Sequence, residues 1–235
     1  MNGLAVTLKS NSTAQAAVSL AAYLAGLLLL LCATTSSIAA QYNIKVLRTD
    51  DGLPQNSVMA ILQTRDGRLW LATNDGLATY DGRQFKVYDK SNTPGFCCNR
   101  LTALFEDREG ILWIGSDLNT IIRYDRRQFN TFELGGKADS SIVLSFQEDS
   151  AGNLLVNTLH GVYRGRGNNF RMIAGSGGYH YIDSKGTEWR FRNGWLNDDQ
   201  GRRFPLKTAG IKTMFEARNG YIWIGTDRGL YLLKN

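Results

Sequence analysis

The feature that most constrains this chain is a short unit that returns along its length. Asp66-Gly67-Arg68-Leu69-Trp70-Leu71-Ala72-Thr73 leads into a polar corner, Asn74-Asp75-Gly76, and then a second apolar run, Leu77-Ala78-Thr79-Tyr80. A tight turn, a Trp among apolar residues, a corner and another apolar run read as strand, turn, strand. Glu109-Gly110-Ile111-Leu112-Trp113-Ile114-Gly115-Ser116-Asp117 repeats the pattern, as does Asn219-Gly220-Tyr221-Ile222-Trp223-Ile224-Gly225-Thr226-Asp227-Arg228-Gly229-Leu230-Tyr231. Two weaker copies lie between. Ala151-Gly152-Asn153-Leu154-Leu155-Val156-Asn157-Thr158 has Leu155 in the Trp position, and Lys185-Gly186-Thr187-Glu188-Trp189 keeps the Trp but little else. Five units at spacings of about 34 to 43 residues make this a repeat protein, whose fold follows from the repeat.

Each unit reads as four short strands. In the first these are Val58 to Gln63, Leu69 to Ala72, Leu77 to Tyr80 and Phe85 to Tyr88, with Asp66-Gly67 and Asp81-Gly82 as hairpin turns. The second unit, Leu101 to Phe132, and the third, Ile142 to Ile173, match it strand for strand. The fourth, Tyr179 to Leu206, is compact and degenerate. The fifth offers three strands, Ile211 to Glu216, Tyr221 to Gly225 and Gly229 to Leu233. A small antiparallel sheet cannot hide both its faces alone, so each unit must stack on the next. The expected fold is all-β: a β-propeller of about five four-stranded antiparallel blades, either complete or part of a larger ring. Trp70, Trp113, Trp189 and Trp223 are expected between neighbouring sheets as the structural core of the repeat. Tyr42 to Arg48 alternates polar and apolar residues and is expected to be a strand that completes the fifth blade, or that pairs with a later blade of a larger ring.

Ahead of the repeats, Ala16 to Ala33 is almost purely apolar, with five leucines at Leu27 to Leu31, and Ser36-Ser37-Ile38-Ala39-Ala40 supplies small residues for a signal peptidase. Residues 1–40 therefore read as a helical signal peptide or an N-terminal membrane anchor, and 41–235 as the repeat domain. Export to the periplasm or beyond removes nucleic acid from the partners. The net charge of +6 falls only to +5 without the first 40 residues, which hold Lys9 and no acid. Arg164, Arg166, Arg171, Arg190, Arg192, Arg202 and Arg203 cluster in sequence, either as a solvated face or as an attraction for an anionic ligand. Cys97 and Cys98 are neighbours and cannot serve as an ordinary disulfide staple, so they are expected to be free thiols. His160 and His180 fall in different repeats, which leaves no set of metal ligands.

No catalytic set assembles from the sequence. Gly175-Ser176-Gly177-Gly178 lacks the strand-turn-helix context of a nucleophile elbow. Gly165-Arg166-Gly167 lacks the third glycine and the helix of a dinucleotide site. Ligands of a propeller meet loops on one face of the ring. Here that face is expected to present Asn74, Asp75, Asp117, Asn119, His160, Asp227 and Arg228, with Arg100 and the loop from Cys97 beside them. The recurring corner carboxylates cap their turns first and meet a ligand second.

Gly52-Leu53-Pro54-Gln55-Asn56-Ser57-Val58, followed by the Asp66 to Thr73 unit with Asp75-Gly76-Leu77 and Tyr80-Asp81-Gly82, resembles the two-component regulator propeller repeat. Glu109 to Gly115 and Trp223 to Leu230 resemble it equally, and the likeness runs through residues 42–235. The resemblance implies the periplasmic sensor region of a bacterial membrane receptor, of the hybrid histidine kinase or diguanylate cyclase kind. Such a region receives a ligand, here a small molecule or glycan, and signals through a membrane-bound partner or an output domain that this chain does not carry. No phosphoacceptor-His, nucleotide-binding or cyclase motif is present, so the resemblance implies signal input and not enzyme activity, and it implies no cofactor. A propeller lyase or hydrolase acting on an extracellular polymer and a protein-interaction scaffold are the alternatives.

Overall fold

The turn chemistry sets the strands. In a computed structural model of the chain, described for residues 44–135, 141–175, 178–208 and 210–234, every repeat is an antiparallel meander. The first blade contains β1 (Val58–Gln63), β2 (Leu69–Thr73), β3 (Gly76–Tyr80) and β4 (Phe85–Tyr88), and the second β5 (Leu101–Glu106), β6 (Leu112–Ser116), β7 (Thr120–Tyr124) and β8 (Phe129–Glu133). The third contains β9 (Val143–Glu148), β10 (Leu154–Thr158), β11 (Gly161–Arg166) and β12 (Asn169–Ala174). The degenerate fourth still folds as β13 (Tyr179–Ile182), β14 (Glu188–Arg192), β15 (Trp195–Asn197) and β16 (Arg203–Pro205). The fifth has β17 (Ile211–Glu216), β18 (Ile222–Thr226) and β19 (Gly229–Leu233). In each sheet the strands pair in sequence order. All nineteen lie in the unit Leu47–Asn235.

In the first, second and fourth blades a side chain in the turn between first and second strands also positions the Trp. Asp107 Oδ1 accepts the backbone N–H groups of Glu109 and Ile111, while its Oδ2 accepts the indole N–H of Trp113 at 2.8 Å. Asp183 repeats this with Lys185, Thr187 and Trp189, the last at 2.9 Å. In the first blade Thr64 Oγ1 receives the Trp70 indole N–H at 3.2 Å. A Trp six residues after a capping side chain thus has its one polar atom satisfied before it is buried.

The blades pack face to face as a β-propeller. The first strands lie against one another, β1 with β5 and β5 with β9, and β9 also meets β17. Trp70 is 2% exposed and packs with Ala72 against Leu112, Ile114 and Ile122 of the second blade. Trp113 and Ile121 pack against Val143, Phe146 and Val156 of the third. Trp189, Phe191 and Leu196 pack against Met214, Ile222 and Ile224 of the fifth. Leu155 substitutes for the Trp of the third blade and is fully buried. Gly115 permits a close approach of the second and third blades, since a Cβ there would sit 2.5 Å from Val143 Cγ1.

Three expectations need comment. The strand expected at Tyr42 to Arg48 is not formed: residues 44–48 have no strand assignment, and Tyr42 and Asn43 lie outside the described residues. The fifth sheet keeps three strands among the described residues. An isolated edge segment has only one side to pair on, and Asp50 and Asp51 continue it into a 3-10 turn, Thr49–Asp51, closed by the left-handed Gly52. Trp223 departs from the other three, being 37% exposed, with no blade among the described residues packed over its face. The expected signal peptide or anchor, residues 1–40, lies outside the described residues. Among those described, no helix is long and apolar enough to cross a membrane.

Candidate ligand-binding site

The corner between second and third strands is held by one hydroxyl in every blade but the fourth. Thr73, Ser116, Thr158 and Thr226 donate from their side chains to the carbonyls of Gly76, Thr120, Gly161 and Gly229 at 2.8 to 3.1 Å. The residues between are thereby pushed out at the same end of each sheet. This places Asn74 and Asp75, Asp117 and Asn119, His160, and Asp227 and Arg228 on one face.

The face is not one continuous site. Asp75 Oδ1 accepts from Asn99 Nδ2 at 2.9 Å between the first two blades. Arg100 Nε lies 2.7 Å from Asp117 Oδ2, and the Asp117 N–H donates to the Arg100 carbonyl, so these two side chains neutralise each other. Asn119 is buried at a left-handed φ of 56°, its N–H bound to the Ser141 carbonyl and its Nδ2 to that of Leu134. Its side chain ties the corner to the following loop. Asn74 and the side chain of Arg228 are exposed and have no polar partner among the described residues.

His160 and Asp227, far apart in sequence, meet in one cavity of about 300 Å³. Leu144, Thr158, Leu159, Gly178, Gly210, Ile211 and Lys212 complete its lining. The His160 N–H is anchored on Ser141 Oγ at 3.0 Å. The Thr208 hydroxyl donates to Asp227 Oδ1, which holds that carboxyl below the usual carboxylate range. The cavity therefore offers an imidazole, an ammonium and an ionised carboxylate around an apolar floor, a set suited to orienting a polar small molecule.

Sequence reading missed Lys212 and Leu144, and the reason is a bulge. The register of the first strand slips once in four blades, skipping Met59, Thr102, Leu144 and Lys212. A bulged residue leaves the ladder and is re-aimed. No local sequence signal marks it; the shared slip shows only when the strands are paired.

The arginine cluster is split among several partners. Arg164 and Arg190 both meet Glu188, at 3.2 and 2.5 Å, and Arg202 pairs with Asp198. Arg203 stacks over Trp195 at 4.0 Å. His180 is buried with Nε2 3.3 Å from Glu188 Oε2; burial holds its pKa below the ordinary histidine range against the pull of that carboxylate. Cys97 and Cys98 are free thiols with Sγ atoms 2.7 Å apart, the first exposed and the second buried. Hydrogen bonding from Cys98 draws the Cys97 thiol down to about 6.

Four-stranded meanders stacked by their Trp faces, with their corners on one face, define the class: a β-propeller. Three stretches, residues 52–75, 95–117 and 205–228, match the repeat described as two component regulator propeller. A 38-residue stretch is 53% identical to histidine kinase P4 of Formosa agariphila, covering 16% of this chain and 3% of that protein. Among solved structures, the extracellular domain of BT3049 from B. thetaiotaomicron, assigned to a hybrid two component system, superposes with a TM-score of 0.63 at 20% identity. That alignment covers 78% of this chain and 27% of the other, so the chain spans about a quarter of that structure's length. The catalytically inactive H270A form of virginiamycin B lyase from Staphylococcus aureus, with quinupristin, superposes with a TM-score of 0.56 at 14% identity, over 78% of this chain and 73% of the lyase. These likenesses show the propeller fold.

Proposed function

We propose that this chain is the exported, ligand-sensing input module of a two-component-type receptor. Residues 1–40 direct export to the periplasm or cell surface and 41–235 form the sensor. A small molecule or glycan binds, and the signal passes to a membrane-bound partner or output domain. The observation that carries the reading is the convergence of His160, Lys212 and Asp227 from the third and fifth blades on one cavity, within repeats of a family named for two-component regulators. Three groups of different charge on two separate blades would be bridged by a ligand, which is how binding would alter the relation between blades. The reading takes the module as a binder and not as a catalyst.

The test is a thermal-shift screen of the full chain against neutral and acidic oligosaccharides and amino acids, followed by calorimetry on each hit. Binding that is lost in Lys212→Ala and Asp227→Asn, with melting temperature held within about 1 °C, supports the reading. Turnover of a hit, or binding indifferent to both substitutions, overturns it.

A further inference from the structure

We propose that Cys97 and Cys98 form a thiol–disulfide exchange site, in which Cys97 attacks a small-molecule disulfide and Cys98 resolves the adduct into a reversible disulfide between the two neighbours. The thiols lie in the loop between β4 and β5, which joins the first blade to the second, with their Sγ atoms 2.7 Å apart. Cys97 is exposed, whereas Cys98 is 4% exposed. An attacking thiol must be reached from solvent, while a resolving thiol needs only to reach the attacker. The pair divides these two roles.

The loop is held so that the sulfurs stay together. Phe96 is buried with its ring 5.3 Å from that of Phe129, and the Gly95 carbonyl accepts the Thr131 hydroxyl at 2.8 Å. On the other side, Asn99 accepts the Gly76 N–H on its carbonyl at 2.8 Å and the Lys90 N–H on its side chain at 3.0 Å. Cys98 packs in the core that contains Trp70 and Leu101. Its hydrogen bond to Cys97 lowers the Cys97 thiol, and the same bond together with burial raises its own. The exposed sulfur therefore carries the anion and the buried one keeps its proton. Among the described residues no group of three His, Cys, Asp or Glu side chains is placed to hold a metal ion, so the pair stands as a dithiol.

The exchange balances in two steps. The Cys97 thiolate, its proton already in solvent, attacks one sulfur of a disulfide RSSR, forms a mixed disulfide Cys97–S–S–R and expels RS⁻. Cys98 gives its proton to that thiolate and attacks Cys97 Sγ, which breaks the mixed disulfide, closes the Cys97–Cys98 bond and expels a second RS⁻. This last thiolate takes a proton from solvent. The dithiol has then lost two electrons, and RSSR has been reduced to two RSH. The product is a small ring through one peptide bond. Neighbouring Cα atoms are about 3.8 Å apart, closer than the about 4.4 to 6.8 Å of ordinary disulfides, so the ring is strained and easily reduced. The strain that bars the pair from serving as a staple makes the bond a labile, reversible one.

The test treats the reduced full chain with oxidised glutathione, then unfolds it, alkylates remaining thiols with iodoacetamide and weighs its tryptic peptides. Trypsin releases both thiols in one peptide, Ser91–Arg100, apart from Cys32. The expected peptide carries no alkyl group and no glutathione and is lighter than the reduced form by two hydrogen atoms; excess reduced glutathione restores two alkylatable thiols. Cys98→Ser is expected to stop at the glutathione adduct on Cys97, and Cys97→Ser to leave Cys98 unmodified until the chain is unfolded. Circular dichroism verifies that both variants fold, and Cys98→Ala replaces Cys98→Ser if the latter does not. A wild-type peptide that is alkylated twice, that retains glutathione or that is joined to another chain overturns the proposal. So does a bond that excess reduced glutathione leaves closed, or a Cys97→Ser chain that takes up glutathione at Cys98 as fast as the parent reacts.

Discussion

Arg108 Nε lies 2.6 Å from Glu148 Oε1, while the other oxygen of the same carboxylate accepts the Arg108 backbone N–H at 2.8 Å. One carboxylate on the third blade therefore holds both the side chain and the main chain of a turn on the second. The guanidinium is half exposed, so its share of the attraction is screened, and the backbone bond supplies much of the rest. Glu148→Ala is expected to cost about 1 to 3 kcal/mol, and Glu148→Gln less, since an amide oxygen can keep the backbone N–H. Urea unfolding of the two variants checks the order.

The Trp residues provide a sharper contrast. Trp113→Ala empties a buried site between two blades and is expected to cost about 3 to 5 kcal/mol. Trp223→Ala removes a side chain already open to water and is expected to cost about 1 to 2 kcal/mol. At about 2 to 4 °C per kcal/mol for a domain of this size, thermal melts should separate them clearly. Equal losses would mean that Trp223 is covered in solution.

Glycine tests the same asymmetry. Gly115→Ala would drive a methyl group into Val143 of the next blade, with overpacking expected to cost about 1 to 3 kcal/mol. Gly225, its counterpart in the fifth blade, faces only the methyl of Thr213 in its own sheet, at 2.9 Å from a Cβ. Gly225→Ala should be the milder change by melting temperature.

Acid should weaken the fold through His180. Burial first, partly offset by Glu188, depresses its pKa in the folded state, so the unfolded chain binds a proton more readily. Its contribution is then fully present above the unfolded value of about 6.5 and declines as pH falls below that. His180→Asn should flatten this part of the stability curve, measured by urea unfolding between about pH 7 and pH 5.

The repeat carried its own blueprint. In the first, second and fourth blades an aspartate or threonine six residues before a Trp, with a glycine between, determines turn, strand and buried indole from local chemistry alone. That is why β1 to β19 fall within a residue or so of the expected strands, even in the degenerate fourth unit. The corner residues were equally legible, because a hydroxyl followed by a glycine makes the same corner in each blade where both occur. What they meet was not. His160 and Asp227 share a cavity while Asp117 is spent on Arg100 and Asn119 on Leu134, and Lys212 joins through a bulge that sequence alone does not show. Local turns are set by neighbours in the chain, so sequence alone determined the strands and their order. Which blade faces are covered, and which corner side chains are neutralised before a ligand arrives, depends on packing between residues tens of positions apart. Only the tertiary structure decided those, leaving Trp70 sealed and Trp223 open although both arise from the same motif.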